Sequence, residues 1–154
     1  MTTAGQRTEL DVRPAVRADL LDVFRIEKRS FEQPWPYAAF EQFLGSPGFL
    51  VAEAETVVGY VVVDTVGHSG DTVGHIKDLA VSSNRRHEGI GRTLLAEGLT
   101  ALVADGVSRV KLEVRPSNDA ARSLYGAFGF ETHHVRHGYY ADGEDAHVMV
   151  KLLV

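Results

Sequence analysis

The most informative stretch of this sequence is Arg85-Arg86-His87-Glu88-Gly89-Ile90-Gly91-Arg92-Thr93. It lies between a predicted strand and the first turn of a predicted helix. Its two glycines allow a ligand to approach the backbone closely, and the start of a helix presents unpaired N–H groups at the positive end of the helix dipole. Its arginines add positive charge that would match a pyrophosphate.

Three interpretations of this loop compete. The first is an ordinary glycine-containing turn with solvated arginines. The second is a dinucleotide site in which Gly89-Ile90-Gly91 opens a G-x-G-x-x-G motif, but the third glycine would fall on Leu94. The third is an R-x-x-G-x-G phosphate cradle formed by Arg86, Gly89 and Gly91. The pattern of the loop leaves these open, although the dinucleotide motif is incomplete.

Hydrophobic alternation and breaker residues on both sides of the loop predict the order β-α-α-β-β-β-α-β-α-β-β. The predicted strands are 9–13, 49–53, 57–66, 72–81, 109–114, 131–137 and 146–153, and the predicted helices are 20–31, 37–44, 89–104 and 118–128. A strand, a helix and a strand in the middle imply one parallel pair with a right-handed crossover. The flanking meanders imply antiparallel strands. We therefore predict an α/β fold with a mixed, mostly antiparallel sheet.

Composition excludes several classes of function. The chain has 154 residues, 44% of them apolar, which fits one compact domain with its own core. There is no cysteine, so a disulfide framework and a cysteine nucleophile are excluded. The net charge of −5 argues against nucleic-acid binding, and no apolar run is long enough to cross a membrane. We expect a cytoplasmic protein with a flexible tail at 1–9 and a single domain at 10–154.

Longer motifs around the loop resemble a known family. Asp78-Leu79-Ala80-Val81, followed by the segment from Arg86 to Leu95, is similar to the acetyl-CoA motif of the GNAT acetyltransferases. Leu112-Glu113-Val114-Arg115-Pro116-Ser117-Asn118 and Leu124-Tyr125-Gly126-Ala127-Phe128-Gly129-Phe130 resemble the RimI branch of that superfamily and its Ard-type relatives, which acetylate protein amino termini. In this order and spacing the motifs are specific, and the resemblance covers nearly the whole chain.

The resemblance implies a GNAT fold that binds acetyl-CoA where two central parallel strands splay apart. The backbone of one strand would pair with the pantetheine arm, the loop N–H groups would hold the pyrophosphate, and an asparagine would hydrogen-bond the cosubstrate. The residues implied are Leu79, Ala80, Val81, Arg86, His87, Glu88, Gly89, Ile90, Gly91, Arg92 and Asn118. Many relatives carry Arg or Gln in place of His87 and Glu88. The negative charge of Glu88 would lower the affinity for acetyl-CoA.

Acetyl transfer to an amine needs a neutral amine, a stabilised oxyanion and a proton for the thiolate. The pKa of an α-amine is about 8 and that of lysine about 10.4. Removing the proton from lysine therefore costs about 3.4 kcal/mol more free energy than removing it from an α-amine. A carboxylate acting through water is therefore a better base for an amino terminus than for a lysine.

Glu113 and Tyr125 are the candidate catalytic residues. Glu113 lies mid-strand between two apolar residues and faces the opposite side of the sheet from them; its pattern equally fits a solvated glutamate or a partner for Arg115. Tyr125 follows Leu124 on a predicted helix and equally fits a core tyrosine. The resemblance implies that Glu113 is the general base and Tyr125 the general acid. A backbone N–H near Leu79 or Ala80 would hold the oxyanion.

The acceptor would be a protein or peptide amino terminus, possibly that of a ribosomal protein. By resemblance it would be held by Phe31, Trp35 and Tyr139, although the aromatic residues equally fit a hydrophobic plug under a loop. A lysine or small-amine acetyltransferase, or a non-catalytic acyl-CoA-binding module, is the alternative function.

The histidines His133, His134, His137 and His147 could suggest a metal site, but a zinc site needs further ligands, so we expect no metal.

Overall fold

A computed structural model describes residues 9–67 and 72–153. The strands are β1 (Asp11–Pro14), β2 (Phe49–Ala54), β3 (Thr56–Val66), β4 (Val73–Val81), β5 (Arg109–Val114), β6 (Glu131–Arg136) and β7 (Ala146–Leu152). The helices are α1 (Leu20–Ser30), α2 (Tyr37–Glu41), α3 (Ile90–Ala104) and α4 (Asp119–Ala127), with 3₁₀ turns at Arg17–Asp19 and Ser83–Arg85. The predicted order of strands and helices is confirmed. The predicted tail at 1–9 lies, apart from Glu9, outside the described residues.

The strands form one seven-stranded sheet in the order β1-β2-β3-β4-β5-β7-β6. Strands β4 and β5 are parallel, with Gly74 opposite Val110 and His75 opposite Lys111. Antiparallel pairs join β1 to β2, β2 to β3, β5 to β7 and β6 to β7. The predicted mixed α/β sheet with a central parallel pair is therefore confirmed.

By internal contacts the chain divides into two units, of which the first comprises Met1–Val62 and Asp78–Gly98. Its core contains the apolar faces of α1, α2, β2 and β3, and its fully buried side chains include Leu20, Val23, Phe40, Val51 and Tyr60. A Cβ at Gly59 of β3 would lie 3.0 Å from both the carbonyl oxygen of Ala80 and a methyl of Leu94. Glycine thus lets β3 approach β4 and α3 closely.

The second unit comprises Val63–Lys77 and Leu99–Val154. On β5 the buried residues Val110, Leu112 and Val114 alternate with partly exposed ones, as expected for a strand with one face in the core. Strand β7 lies between β5 and β6, and every residue of the edge strand β6 is exposed. The apolar side of this unit is therefore built on β5 and β7.

Several boundaries differ from the sequence-based prediction by one to three residues, and the largest difference is at the end of α2. Helix α2 ends at Glu41 and not near residue 44, because the chain tightens into i→i+3 bonds from Phe43 to Phe40 and from Leu44 to Glu41 before Gly45 adopts φ +87°. Strands β2 and β3 are joined by the single residue Glu55, at φ +70°. Within the described residues, no helix is long and apolar enough to cross a membrane.

Candidate active site

The loop between β4 and α3 has the backbone geometry of a phosphate cradle. His87 and Gly89 both have left-handed φ values, +64° and +82°, and α3 begins at the next residue, Ile90. Thr93 donates both its N–H and its hydroxyl to the carbonyl oxygen of Gly89, at 3.0 Å each. A Cβ at Gly89 would meet no atom within 4 Å, so the space beside this backbone is open. The first N–H groups of α3 are thus held in position beside open space.

The charge of Glu88 is compensated within the loop. The guanidinium of Arg85 donates to the Glu88 carboxylate from Nε at 3.1 Å and from a terminal nitrogen at 3.0 Å. Arg86 and Arg92 are exposed. Because Arg85 neutralises Glu88, the loop keeps a net positive charge from its other two arginines. The loop therefore fits a pyrophosphate despite the glutamate.

Strand β4 ends in the segment predicted to bind the pantetheine arm, Leu79-Ala80-Val81. Ala80 is buried, and its carbonyl oxygen lies on the side of Gly59. The N–H of Leu79, a predicted oxyanion donor, donates to the side-chain oxygen of Asp78 at 2.9 Å. An oxyanion could use this N–H only by replacing that bond.

Glu113 forms the closest polar contact of the second unit's site. Its Oε1 lies 2.7 Å from Nε2 of His75 on the neighbouring parallel strand, and its Oε2 lies 3.9 Å from the Lys111 ammonium. The side chains of Glu113 and His75 are only 10% and 17% exposed. Leu112 and Val114 are buried on the other side of the sheet, as predicted. The alternative partner for Glu113, Arg115, is bound elsewhere.

The electrostatics keep Glu113 ionised. The hydrogen bond from His75 lowers the pKa of Glu113 below its ordinary value, while partial burial opposes this and the charges of Lys111 and Arg136 add to the lowering. An ionised carboxylate that accepts from Nε2–H leaves Nδ1 of the imidazole as a proton acceptor. The imidazole can then accept a proton from a substrate while the carboxylate holds the ring in place. Other enzymes orient a general base with a second side chain in the same way.

Tyr125 and Asn118 lie on α4 or at its start. The Tyr125 side chain is buried, with its ring edge-on to Phe130 at a centroid distance of 5.7 Å. Asn118 is the N-cap of α4, since its side-chain oxygen accepts from the N–H of Ala121 at 3.1 Å. That bond uses the amide oxygen of Asn118, whereas a cosubstrate contact could use its amide nitrogen. The capping role and cosubstrate binding are therefore compatible.

The three predicted acceptor-binding residues differ in environment. Trp35 packs against Phe40 and Phe43, with ring centroids 5.3 and 5.8 Å away, and Phe31 packs against the same core. Tyr139 is 42% exposed in the β6–β7 loop, where its ring lies near the Arg136 guanidinium. The tryptophan ring is thus packed against the core, whereas the tyrosine ring is exposed on the loop surface.

Arg115 organises the β6–β7 loop. Its guanidinium donates to the carboxylates of Asp142 and Glu144 at 2.8 Å each and lies 4.0 Å from the centre of the Tyr140 ring. Glu144 also accepts from the N–H of Ser117 at 3.1 Å. The loop is therefore tied to the end of β5, two residues from Glu113.

The two histidines of β6 contact each other, and His137, just after β6, contacts an aspartate. A register shift between Thr132 and His134 brings Nδ1 of His133 within 2.8 Å of Nδ1 of His134, and His137 contacts Asp145 at 3.3 Å. Across the described residues 9–67 and 72–153, no group of three metal-ligating side chains is found.

Comparison with known proteins agrees with this geometry. A sequence model of the Acetyltransferase (GNAT) family matches residues 19–130. The chain belongs to the GNAT family. Family membership favours the R-x-x-G-x-G interpretation of the β4–α3 loop over a dinucleotide motif.

Individual GNAT relatives extend the match to nearly the whole chain. The N-alpha-acetyltransferase of Sulfolobus acidocaldarius is 35% identical, over 94% of this chain and 93% of its own. The N-alpha-acetyltransferase RimI of Mycobacterium tuberculosis is 37% identical, over 86% of each chain. The solved structure of the ribosomal-protein-S18-alanine N-acetyltransferase from Escherichia coli superposes with a TM-score of 0.79 at 27% identity, over 94% of each chain. The resemblance to the RimI and Ard-type branch is confirmed.

Sequence reasoning missed His75 as a member of this GNAT site. A signal was present: in a parallel pair of β4 and β5, alternate residues share a face, so His75 and Lys77 face the same side as Lys111 and Glu113. The exact register was needed to place the histidine beside the glutamate.

Proposed function

We propose how this chain performs acetyl transfer and on which acceptor. Its family and its relatives make it an acetyl-CoA-dependent N-acetyltransferase that acts on the α-amine of a protein amino terminus. Acetyl-CoA supplies the thioester carbonyl that the amine attacks. The open backbone at Gly89 and the exposed cations Arg86 and Arg92 fit its pyrophosphate.

The contact between Glu113 and His75 carries the proposed mechanism. The pair accepts a proton from the acceptor ammonium, directly or through a water, and so frees the amine lone pair for attack. An imidazole is a stronger base than a carboxylate in water, and the ionised Glu113 stabilises the imidazolium that forms. We therefore assign proton removal to the pair and not to Glu113 alone.

This pair suits an α-amine better than a lysine. With a pKa of about 8, roughly a tenth of an α-amine is already neutral near pH 7, whereas a lysine with a pKa of about 10.4 is neutral about once in a few thousand molecules. A side chain that must remove a proton from lysine would face the larger barrier. The chemistry of the site thus supports amino-terminal acceptors.

Tyr125 is the proposed acid for the departing thiolate. Its ring is buried and packed against Phe130, which fixes the side chain that carries the hydroxyl. Leu79, Ala80 and Val81, the segment from Arg86 to Arg92, and Asn118 are the proposed cosubstrate contacts. Phe31, Trp35 and Tyr139 belong to the proposed acceptor site, with Tyr139 the exposed member.

A ribosomal protein amino terminus that begins with alanine is the first acceptor to test. The support is the similarity to the E. coli enzyme whose substrate is the alanine of ribosomal protein S18. Several relatives carry broader names, so peptides with other first residues belong in the same screen.

The decisive experiment measures CoA release with two matched peptides. One has a free amino terminus beginning with alanine and no lysine, and the other has a blocked terminus and one internal lysine. Turnover with the first peptide alone supports the proposal. Turnover with the second alone would make the chain a lysine acetyltransferase, and silence with both would favour a small amine or a binding module without catalysis.

A further inference from the structure

A buried carboxylate outside the proposed chemistry links α1 to the acceptor loop, defined here as residues 31–36 between α1 and α2. Glu27 of α1 is 2% exposed. One of its oxygens accepts from the backbone N–H of Trp35 at 2.8 Å, and the other accepts a short hydrogen bond from the Tyr60 hydroxyl. Both oxygens of the carboxylate are therefore used.

Asp78 completes this cluster from β4. Its Oδ2 lies 3.5 Å from the Tyr60 hydroxyl, and its other oxygen accepts from the N–H of Leu79. Burial and hydrogen bonding to Glu27 raise the pKa of Asp78 well above its ordinary value. Glu27 thus lies in a buried cluster with a second carboxyl group, a phenol and a backbone amide.

A buried carboxyl group of this kind destabilises a core unless its hydrogen bonds are satisfied. An apolar residue at position 27 would pack among Leu20, Val23 and Phe40 without that penalty. An apolar residue could accept neither the Tyr60 hydroxyl nor the Trp35 N–H, and of these two donors only the Trp35 N–H belongs to the acceptor loop.

The Trp35 N–H is the backbone donor through which Glu27 can hold this loop in place. Trp35 stands between Pro34 and Pro36, which have no N–H, so it supplies the sole backbone donor of that run. Its ring is anchored on Phe40 and Phe43. With ring and N–H both engaged, the neighbouring residues 32–34 remain exposed on the loop.

We propose that Glu27 is a positioning residue that fixes the acceptor loop through the Trp35 N–H, so that residues 32–34 are held ready for the first residue of the acceptor. This inference rests on the proposed function. It assigns Glu27 no contact with the acceptor and no proton transfer.

The test separates acceptor binding from chemistry in three variants. Glu27→Met keeps the volume and removes both acceptor oxygens, and it should raise the KM for the alanine peptide about tenfold while kcat stays within about twofold. Glu27→Gln keeps an oxygen for the Trp35 N–H and should restore most of the wild-type KM. Tyr60→Phe removes a hydroxyl from the same cluster without touching the Trp35 bond, and its peptide KM should stay near that of the wild type.

Hydrogen exchange of the Trp35 amide gives a readout that needs no substrate. It should be about tenfold faster in Glu27→Met than in the wild type and near wild type in Tyr60→Phe. Should Glu27→Met not fold, Glu27→Asp replaces it, because the side chain is one methylene shorter and draws the carboxylate away from the loop.

The outcomes distinguish the two proposals. If the wild type acetylates the peptide but Glu27→Met and Glu27→Gln give equal KM values, or if Tyr60→Phe raises KM as much, the positioning role is wrong. A loss confined to kcat would also overturn it. If the wild type itself acetylates no amino terminus, the proposed function fails, and the role of Glu27 in acceptor binding fails with it.

Discussion

At the scale of single residues, the site depends on a contact between two polar side chains on parallel strands. Glu113 and His75 are mostly buried and 2.7 Å apart, which fixes the direction in which each can accept or donate. Loss of the carboxylate leaves the imidazole without the group that orients it and stabilises its charged form.

We therefore expect Glu113→Gln to lower kcat about 10²-fold, with little change in the KM for acetyl-CoA. Steady-state CoA release at saturating peptide measures this. Lys111→Gln is the matched control, because its ammonium lies 3.9 Å from the same carboxylate and its removal changes the charge nearby without removing the base. An equal loss in both variants, or unchanged turnover in Glu113→Gln, would refute the assignment.

At the scale of elements, we expect the junction of β4 and α3 to determine whether a pyrophosphate can bind. The loop needs a left-handed residue immediately before α3, and Gly89 supplies it at φ +82°. Gly45, after α2, has a similar φ of +87°, and an added Cβ would meet nothing within 4 Å at either position.

Gly89→Ala and Gly45→Ala should therefore each destabilise the protein by about 1 kcal/mol through backbone strain. We expect only Gly89→Ala to weaken acetyl-CoA binding, by about tenfold or more, since its Cβ would occupy the space beside the cradle. Thermal unfolding and isothermal titration calorimetry measure the two effects. Equal acetyl-CoA affinity in the two variants would mean that the cosubstrate does not approach Gly89.

At the scale of the whole molecule, carboxylates with opposite pKa shifts set the pH dependence of stability. The hydrogen bond from Arg13 lowers the pKa of Asp19, and the bond from His75 lowers that of Glu113. For these groups the unfolded chain takes up protons first as the pH falls. Their contribution to stability is therefore present above their ordinary pKa values of 3.8 and 4.5 and is lost as the pH falls below them. The raised pKa of Asp78 acts in the opposite direction, and its contribution is lost as the pH rises through that pKa.

Asp19→Asn should thus reduce the free energy of unfolding by on the order of 1–3 kcal/mol at pH 7 and have little effect at pH 2. Asp78→Asn cannot titrate, so its stability relative to wild type should improve as the pH rises above 3.8, the ordinary pKa of Asp78. Urea unfolding at these pH values measures both. A pH-independent effect of Asp19→Asn would show that its carboxylate is not stabilised by Arg13 in the folded chain.

The sequence by itself determined the order of strands and helices and the fold class, and it predicted the position of the phosphate-binding loop. These depend on local patterns: alternation on strands, breakers such as Pro34, and glycines before a helix start, all of which act over a few residues. Even there, the end of α2 was predicted three residues too late, because the switch to i→i+3 bonds has no distinct local signal.

The tertiary structure decided which polar side chains meet. His75 and Glu113 are 38 positions apart, Glu27 and Tyr60 are 33 apart, and Arg115 and Glu144 are 29 apart. Each contact depends on strand register and on the packing of a helix against the sheet. A shift of one residue in the register of β4 against β5 would turn His75 to the other face of the sheet, away from Glu113. For that physical reason the sequence predicted Glu113 as a candidate base, whereas its partner His75 and the anchor at Glu27 became visible only in the folded chain.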